Sequence, residues 1–193
     1  LYIKFSSSYA DIYYPSYVIL QERCIKRVEV SHPEELAGIN VLVGDQANKE
    51  VLNNWVKAIN STLDIIIDDG GHTSNQIMSS FHVLWDRLAP GGYYFIEDLQ
   101  VQFWWKGGDE YGHTAADYMQ MWQQLLMAGY TERDGVAYCV GPNPRTTSVP
   151  PIIEQKLKDH PELRPPKGLT WIMCQHEACV LAKCREGDSA RCV

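Results

Sequence analysis

Apolar positions fall into two alternating kinds of segment, short unbroken runs and longer stretches with helical spacing. Residues 40–44, Asn-Val-Leu-Val-Gly, form an apolar run ended by glycine, which predicts a buried strand. Residues 47–59 then place Val51, Leu52, Trp55, Val56 and Ile59 on one face of a helix, which Ser61-Thr62 breaks. The run 63–69 is rich in β-branched residues and ends in Asp68-Asp69, the form of a central parallel strand. Residues 73–88 return to helical spacing with Ile77, Phe81, Leu84, Trp85 and Leu88. Ala89-Pro90-Gly91-Gly92 predicts a turn, and 93–96 predicts a strand ending in Glu97-Asp98. Two successive strand–helix units with polar residues only at the strand ends imply an α/β fold. The sheet expected is Rossmann-like, doubly wound and mostly parallel, with ligands outside the carboxyl ends of its strands.

The flanks are less regular. Residues 1–20 are rich in tyrosine, and the order Ser8-Tyr9-Ala10-Asp11 can open a short helix capped by Ser8. Residues 114–128 read as a helix with Tyr118, Met121, Trp122, Leu125 and Leu126 on its apolar side. The stretch 141–168 is proline-rich, with a short helix expected at 151–158. Two apolar runs at 169–173 and 178–182 suit an antiparallel pair closing the sheet edge. There is neither an internal repeat nor a low-complexity tract.

Length and composition narrow the function classes. A chain of 193 residues with 45% hydrophobic content fits one domain, residues 1–193. A formal charge of −7 argues against nucleic acid or an anionic membrane as partner, since both require basic surface. No run approaches the roughly 20 apolar residues of a membrane span, so a soluble, cytoplasmic protein is expected. The sequon at Asn60-Ser61-Thr62 keeps a secretory compartment open. The spacings of the six cysteines fit no CxxC zinc pattern, and a domain of this size folds without bridges, so free thiols are expected.

The acidic strand ends carry the candidate chemistry. A right-handed crossover between the two strands brings Asp69, Glu97 and Asp98 into one crevice. Such a cluster repels itself unless a cation neutralises it, and all-oxygen ligation suits Mg²⁺, with Mn²⁺ as second choice. The competing reading is that these acids cap the following helices. His72, three residues after Asp69, is either a base beside that metal or a cap for the helix starting at Thr73. His32, His82, His113, His160 and His176 are read as surface or packing residues.

The segments 38–46, 67–72 and 88–98, which include Gly44-Asp45-Gln46, Ile67-Asp68-Asp69-Gly70-Gly71-His72 and Phe95-Ile96-Glu97-Asp98, together resemble the metal-dependent O-methyltransferases of macrolide sugars. They are also similar to cephalosporin-hydroxylase-like proteins. The resemblance runs from about residue 38 to 105 and implies a class I methyltransferase fold. It implies Asp69, Glu97 and Asp98 as metal ligands, His72 as general base, and Asp45, Gln46 and Asp68 on the cofactor side. The implied cofactors are S-adenosylmethionine and Mg²⁺ or Mn²⁺. The implied partner is a small-molecule hydroxylated acceptor such as a sugar or natural product, with the chain alone or in a homo-oligomer.

Upstream the pattern departs from the family. Residues 1–37 contain no glycine, so the first strands and the glycine-rich cofactor loop are expected to be lacking, either through omitted residues or through truncation. A hydroxylase-like enzyme or a catalytically silent binding homologue is therefore the alternative function. The aromatic residues Phe103, Trp104, Trp105, Tyr111 and Tyr118 either line a substrate lid or pack against the last two strands.

Overall fold

The computed structural model describes residues 2–6, 17–21, 40–104, 113–133, 136–139 and 149–187. A seven-stranded sheet forms its centre, ordered β3-β2-β1-β4-β5-β9-β8. Its strands are β1 (Tyr2–Ser6), β2 (Tyr17–Gln21), β3 (Asn40–Gly44), β4 (Leu63–Asp69), β5 (Leu88–Ile96), β8 (Leu169–Cys174) and β9 (Cys179–Lys183). Strands β6 (Tyr130–Arg133) and β7 (Val136–Cys139) make a separate antiparallel pair. The first five sheet strands are parallel, and β9 and β8 run antiparallel at the edge. The doubly wound sheet and its closing pair thus match the sequence reading.

The expected lack of the first strands is corrected. Both β1 and β2 lie in the sheet, with Ser6 opposite Asp69 and Gln21 opposite Gly44. Each is only five residues long and bounded by polar or tyrosine-rich sequence, which hid it among residues read as irregular. Strand pairing is non-local, so a run this short becomes a strand only when partners already stand on both sides. The helix expected from Ser8 lies outside the described residues.

Helix α1 (Lys49–Ile59) starts at Asn48, whose side chain accepts from the backbone of Glu50 and Val51, and buries Leu52, Trp55, Val56 and Ile59. It stops at Asn60, left-handed at φ 44°, so the sequon asparagine serves as an exposed C-cap. Helix α2 (Ser74–Leu84) opens with a capping box between Thr73 and Gln76. Its continuation is a 3₁₀ turn, Trp85–Arg87. The turn expected at 89–92 is an irregularity inside β5, where pairing with β4 jumps from Leu63–Leu88 to Ile65–Tyr93. Helices α3 (Val101–Trp104), α4 (Ala115–Met127) and α5 (Pro151–Asp159) follow among the described residues.

Phe81 is the hub of the core, with ring centroids 5.1 Å from Trp85, 5.0 Å from Tyr94 and 5.2 Å from Trp122. It joins α2, the sheet and α4 in one apolar mass. Tyr118 is fully buried there, so packing rather than a lid is its role. Phe103 is 73% exposed, while Trp105 and Tyr111 lie outside the described residues. No helix among the described residues is long and apolar enough to cross a membrane. The free-thiol expectation is also corrected, because Cys174 and Cys179 form a disulfide between β8 and β9. The hairpin register sets these two residues directly opposite one another, a proximity that sequence spacing does not reveal.

Candidate functional site

Parallel pairing aligns the carboxyl ends of β3, β4 and β5 along one edge of the sheet. The strand order reverses between β1 and β4, the place where open α/β sheets form a ligand crevice. Asp69 ends β4 at this point. Beside it the chain leaving β5 continues the pairing, with the Glu97 N–H donating to the Asp68 carbonyl at 2.9 Å.

Asp69, His72 and Asp98 come together there, each offering one ligand atom within 4.8 Å of the others. Asp69 is buried and the other two are partly exposed. His72 Nε2 lies 3.6 Å from Asp98 Oδ2. Both residues adopt left-handed backbone, φ 52° for His72 and φ 55° for Asp98. Non-glycine residues enter that region at a cost of about 1–3 kcal/mol each and hold it where the surroundings impose it, a pattern concentrated at functional sites. Helix capping does not explain His72, because Thr73 and Gln76 already perform it.

Glu97 is not in this trio. With Asp98, Phe95, Gln175, His176 and Glu177 it lines an adjoining open cavity of about 380 Å³. The β8–β9 loop forms the opposite wall of this cavity, held to the site by the Leu99 N–H donating to the Glu177 carbonyl at 2.9 Å. Gln100 donates to Asp98 Oδ1 at 3.1 Å, and its own buried Oε1 has no partner among the described residues.

Gln46 and Asp68, expected on the cofactor side, meet where the loop after β3 reaches the end of β4. Both are buried, and their side chains engage each other through Gln46 Nε2 donating to Asp68 Oδ1 at 2.7 Å and Oδ2 at 2.8 Å. Ser80 Oγ donates to Asp68 Oδ2 at 2.7 Å, and the Tyr94 hydroxyl donates to the same oxygen at 3.2 Å. Burial pushes the Asp68 carboxyl up to about 6 against these donors, which pull it down. Gln46 Oε1 accepts from the Gly71 N–H at 3.0 Å. A Cβ at Gly70 would run into the Gln46 carboxamide, so the glycine lets the loop that carries His72 close onto this network. Asp45 remains exposed, with its carboxylate accepting from the Ala47 N–H at 2.9 Å in a turn at the end of β3.

Sequence reasoning expected Asp69, Glu97 and Asp98 to meet because acids at adjacent parallel strand ends converge by topology alone; the structure brings Asp69 and Asp98 together with His72 and sets Glu97 in the wall of the adjoining cavity. That reasoning missed Ser80 and Tyr94, whose link to Asp68 spans α2 and β5. The available signal was the run of serines, Ser74, Ser79 and Ser80, among the apolar residues of α2.

No family model matches the chain. It is 41% identical over 66 residues to the 8-demethyl-8-alpha-L-rhamnosyl tetracenomycin-C 2'-O-methyltransferase of Streptomyces olivaceus, a match covering 34% of this chain and 17% of that protein. It is 42% identical over 74 residues to the demethylmacrocin O-methyltransferase of Streptomyces fradiae, covering 38% and 18%. Among solved structures it is similar to the MycE methyltransferase of the mycinamycin biosynthetic pathway in complex with Mg and SAH. The TM-score is 0.58 at 19% identity, over 95% of this chain and 44% of that one. The fold is therefore that of a class I methyltransferase. The matched stretch amounts to less than a fifth of either curated relative, and the chain spans less than half of the solved neighbour.

Proposed function

We propose that the chain carries the metal-binding half-site of an O-methyltransferase that moves a methyl group from S-adenosylmethionine to a hydroxyl of a small molecule, a sugar or natural product. The observation that carries this reading is the meeting of Asp69, His72 and Asp98 at the switch point of the sheet, with two of the three in left-handed backbone. The similarity to sugar O-methyltransferases supports it.

The donor set fits a hard divalent cation. Two carboxylates converge there beside one imidazole. Asp69 and Asp98 would hold Mg²⁺ or Mn²⁺, with Glu97 contributing from the cavity wall. When bound, such a cation lowers the pKa of an acceptor hydroxyl. His72 would take the hydroxyl proton on its imidazole, and the Asp98 carboxylate would stabilise the imidazolium that results. Asp45, exposed at the same sheet edge, would face the methyl donor. Gln46 and Asp68 would act beneath, by fixing the loop Gly70-Gly71-His72 in position. The sulfonium of the donor supplies the methyl carbon, and holding donor and acceptor side by side contributes most of the acceleration.

The test is transfer of labelled methyl from S-adenosylmethionine to glycosylated acceptors with free sugar hydroxyls, with and without added Mg²⁺. Transfer that stops on chelation and returns with the metal is expected. Transfer that persists undiminished after complete chelation would overturn the proposal. If neither S-adenosylmethionine nor S-adenosylhomocysteine binds in a calorimetric titration, the silent binding homologue is the better reading.

A further inference from the structure

Away from the sheet edge, His113, His160 and Glu162 bring three ligand atoms within 4.8 Å of one another. The distances are 3.1 Å from His113 Nε2 to His160 Nδ1, 3.2 Å from His113 Nε2 to Glu162 Oε1, and 3.2 Å from His160 Nδ1 to Glu162 Oε1. From this triangle we propose that the chain has a second metal site, one for a Zn²⁺-type cation, which fastens the start of α4 to the end of α5.

The shape of the triangle carries the argument. A tetrahedral cation with bonds of about 2.0 Å holds its ligand atoms about 3.3 Å apart, whereas an octahedral Mg²⁺ holds them about 2.9 Å apart. The two edges to Glu162, at 3.2 Å, lie nearer the tetrahedral value, and the 3.1 Å edge between the histidines falls midway. Two imidazoles with one carboxylate are also a zinc donor set rather than a magnesium one. Protons satisfy the triangle poorly. Each ring nitrogen carries at most one proton, directed along one line, and the carboxylate carries none at neutral pH. Three edges would have to share two N–H groups, and with both rings protonated the histidine–histidine edge sets N–H against N–H. One cation accepts a lone pair from all three atoms at once.

Rigid elements hold the three groups. His160 sits between α5 and the 3₁₀ turn Pro161–Leu163, donating its N–H to the Lys156 carbonyl at 2.9 Å and accepting from the Leu163 N–H at 3.0 Å. Leu163 is buried, and its carbonyl accepts from Trp122 Nε1 at 3.1 Å. His113 directly precedes Thr114, whose capping box with Asp117 fixes the start of α4. The His113 ring stands edge-on to buried Tyr118, 6.3 Å between centroids. Donors carried on fixed backbone lower the ordering cost of binding. The partly open position of the cluster leaves a fourth ligand position for water.

The site shares no residue with the Asp69 cluster, so it can be tested apart from methyl transfer. The Asp69→Asn chain, stripped of metal and then supplied with Mg²⁺, would be titrated with Zn²⁺ against a chromophoric chelator. One bound equivalent with sub-micromolar Kd is expected, and both His113→Ala and Glu162→Gln should weaken it by at least roughly tenfold, the scale expected for disturbing a metal's ligand environment. Zinc-edge X-ray absorption should show a nitrogen and oxygen shell with two imidazoles. Because the side chains of His160 and Glu162 are nearly half exposed and that of His113 is a quarter exposed, the variants are expected to stay folded by circular dichroism. Binding that survives in the folded His113→Ala/His160→Ala double variant would overturn the proposal. So would a sulfur shell or the absence of stoichiometric binding.

Discussion

At the residue scale, the site rests on buried Asp68 as much as on the groups that meet a ligand. Gln46 supplies one amide to both oxygens of Asp68 and uses its carbonyl to hold Gly71, so its loss strands several polar atoms at once. Gln46→Leu is expected to cost about 2–3 kcal/mol, the penalty for a buried charged group deprived of its donors, as read by urea denaturation. Tyr94→Phe removes one donor without changing shape and should cost about 1–2 kcal/mol. Burial, then the Asp68 charge, holds the Tyr94 hydroxyl well above its ordinary value of 10.0. The unfolded chain therefore gives up that proton first, and stability falls as pH rises past the ordinary tyrosine value. In Tyr94→Phe this alkaline decline should be shallower, and an unchanged slope would remove Tyr94 from the account. Nearer the ligand, Asp69→Ala, Glu97→Ala and Asp98→Ala should each abolish metal-dependent turnover while the melting transition persists. His72→Ala should lower turnover by about 10²–10⁴-fold with metal affinity kept, whereas loss of metal binding would make His72 a ligand.

At the element scale, the β8–β9 hairpin does two things. Through β9 it closes the sheet on β5, and through the loop containing Glu177 it walls the cavity beside Glu97 and Asp98. The Cys174–Cys179 bridge closes that loop at its neck. Restricting so short a loop in the unfolded chain is worth about 2 kcal/mol on the chain-entropy account. Replacing both cysteines with alanine should lower stability by about that amount. It should also raise amide exchange at Leu99, whose N–H is bonded to this loop. Exchange at Leu99 unchanged from the parent would separate the bridge from the site.

At the scale of the whole molecule, one apolar mass centred on Phe81 joins α2, β5 and α4 behind the strand ends that form the crevice. Phe81→Ala should cost about 3–5 kcal/mol by opening a cavity among three rings, measured by thermal or urea unfolding. The effect should reach the site, because α2 also carries Ser80, a donor to Asp68. Phe81→Leu, which keeps most of the volume, should retain the fold and lose less.

The central strands, the helices between them and the meeting of Asp69 with Asp98 were legible in the chain. Period, β-branched runs and strand-end acids are local signals, and parallel topology converts them into one edge without further information. That Gln46 and Asp68 lie near the site was legible too, but not that their side chains face each other. Strands β1 and β2, the Cys174–Cys179 bridge and the His113–His160–Glu162 triangle were decided by tertiary structure. Each depends on groups brought together by pairing or packing rather than by spacing, with His113 and His160 separated by 47 residues. A five-residue run gains its strand conformation from its neighbours in the sheet, and a histidine becomes a candidate ligand only when folding sets other donors about 3 Å away.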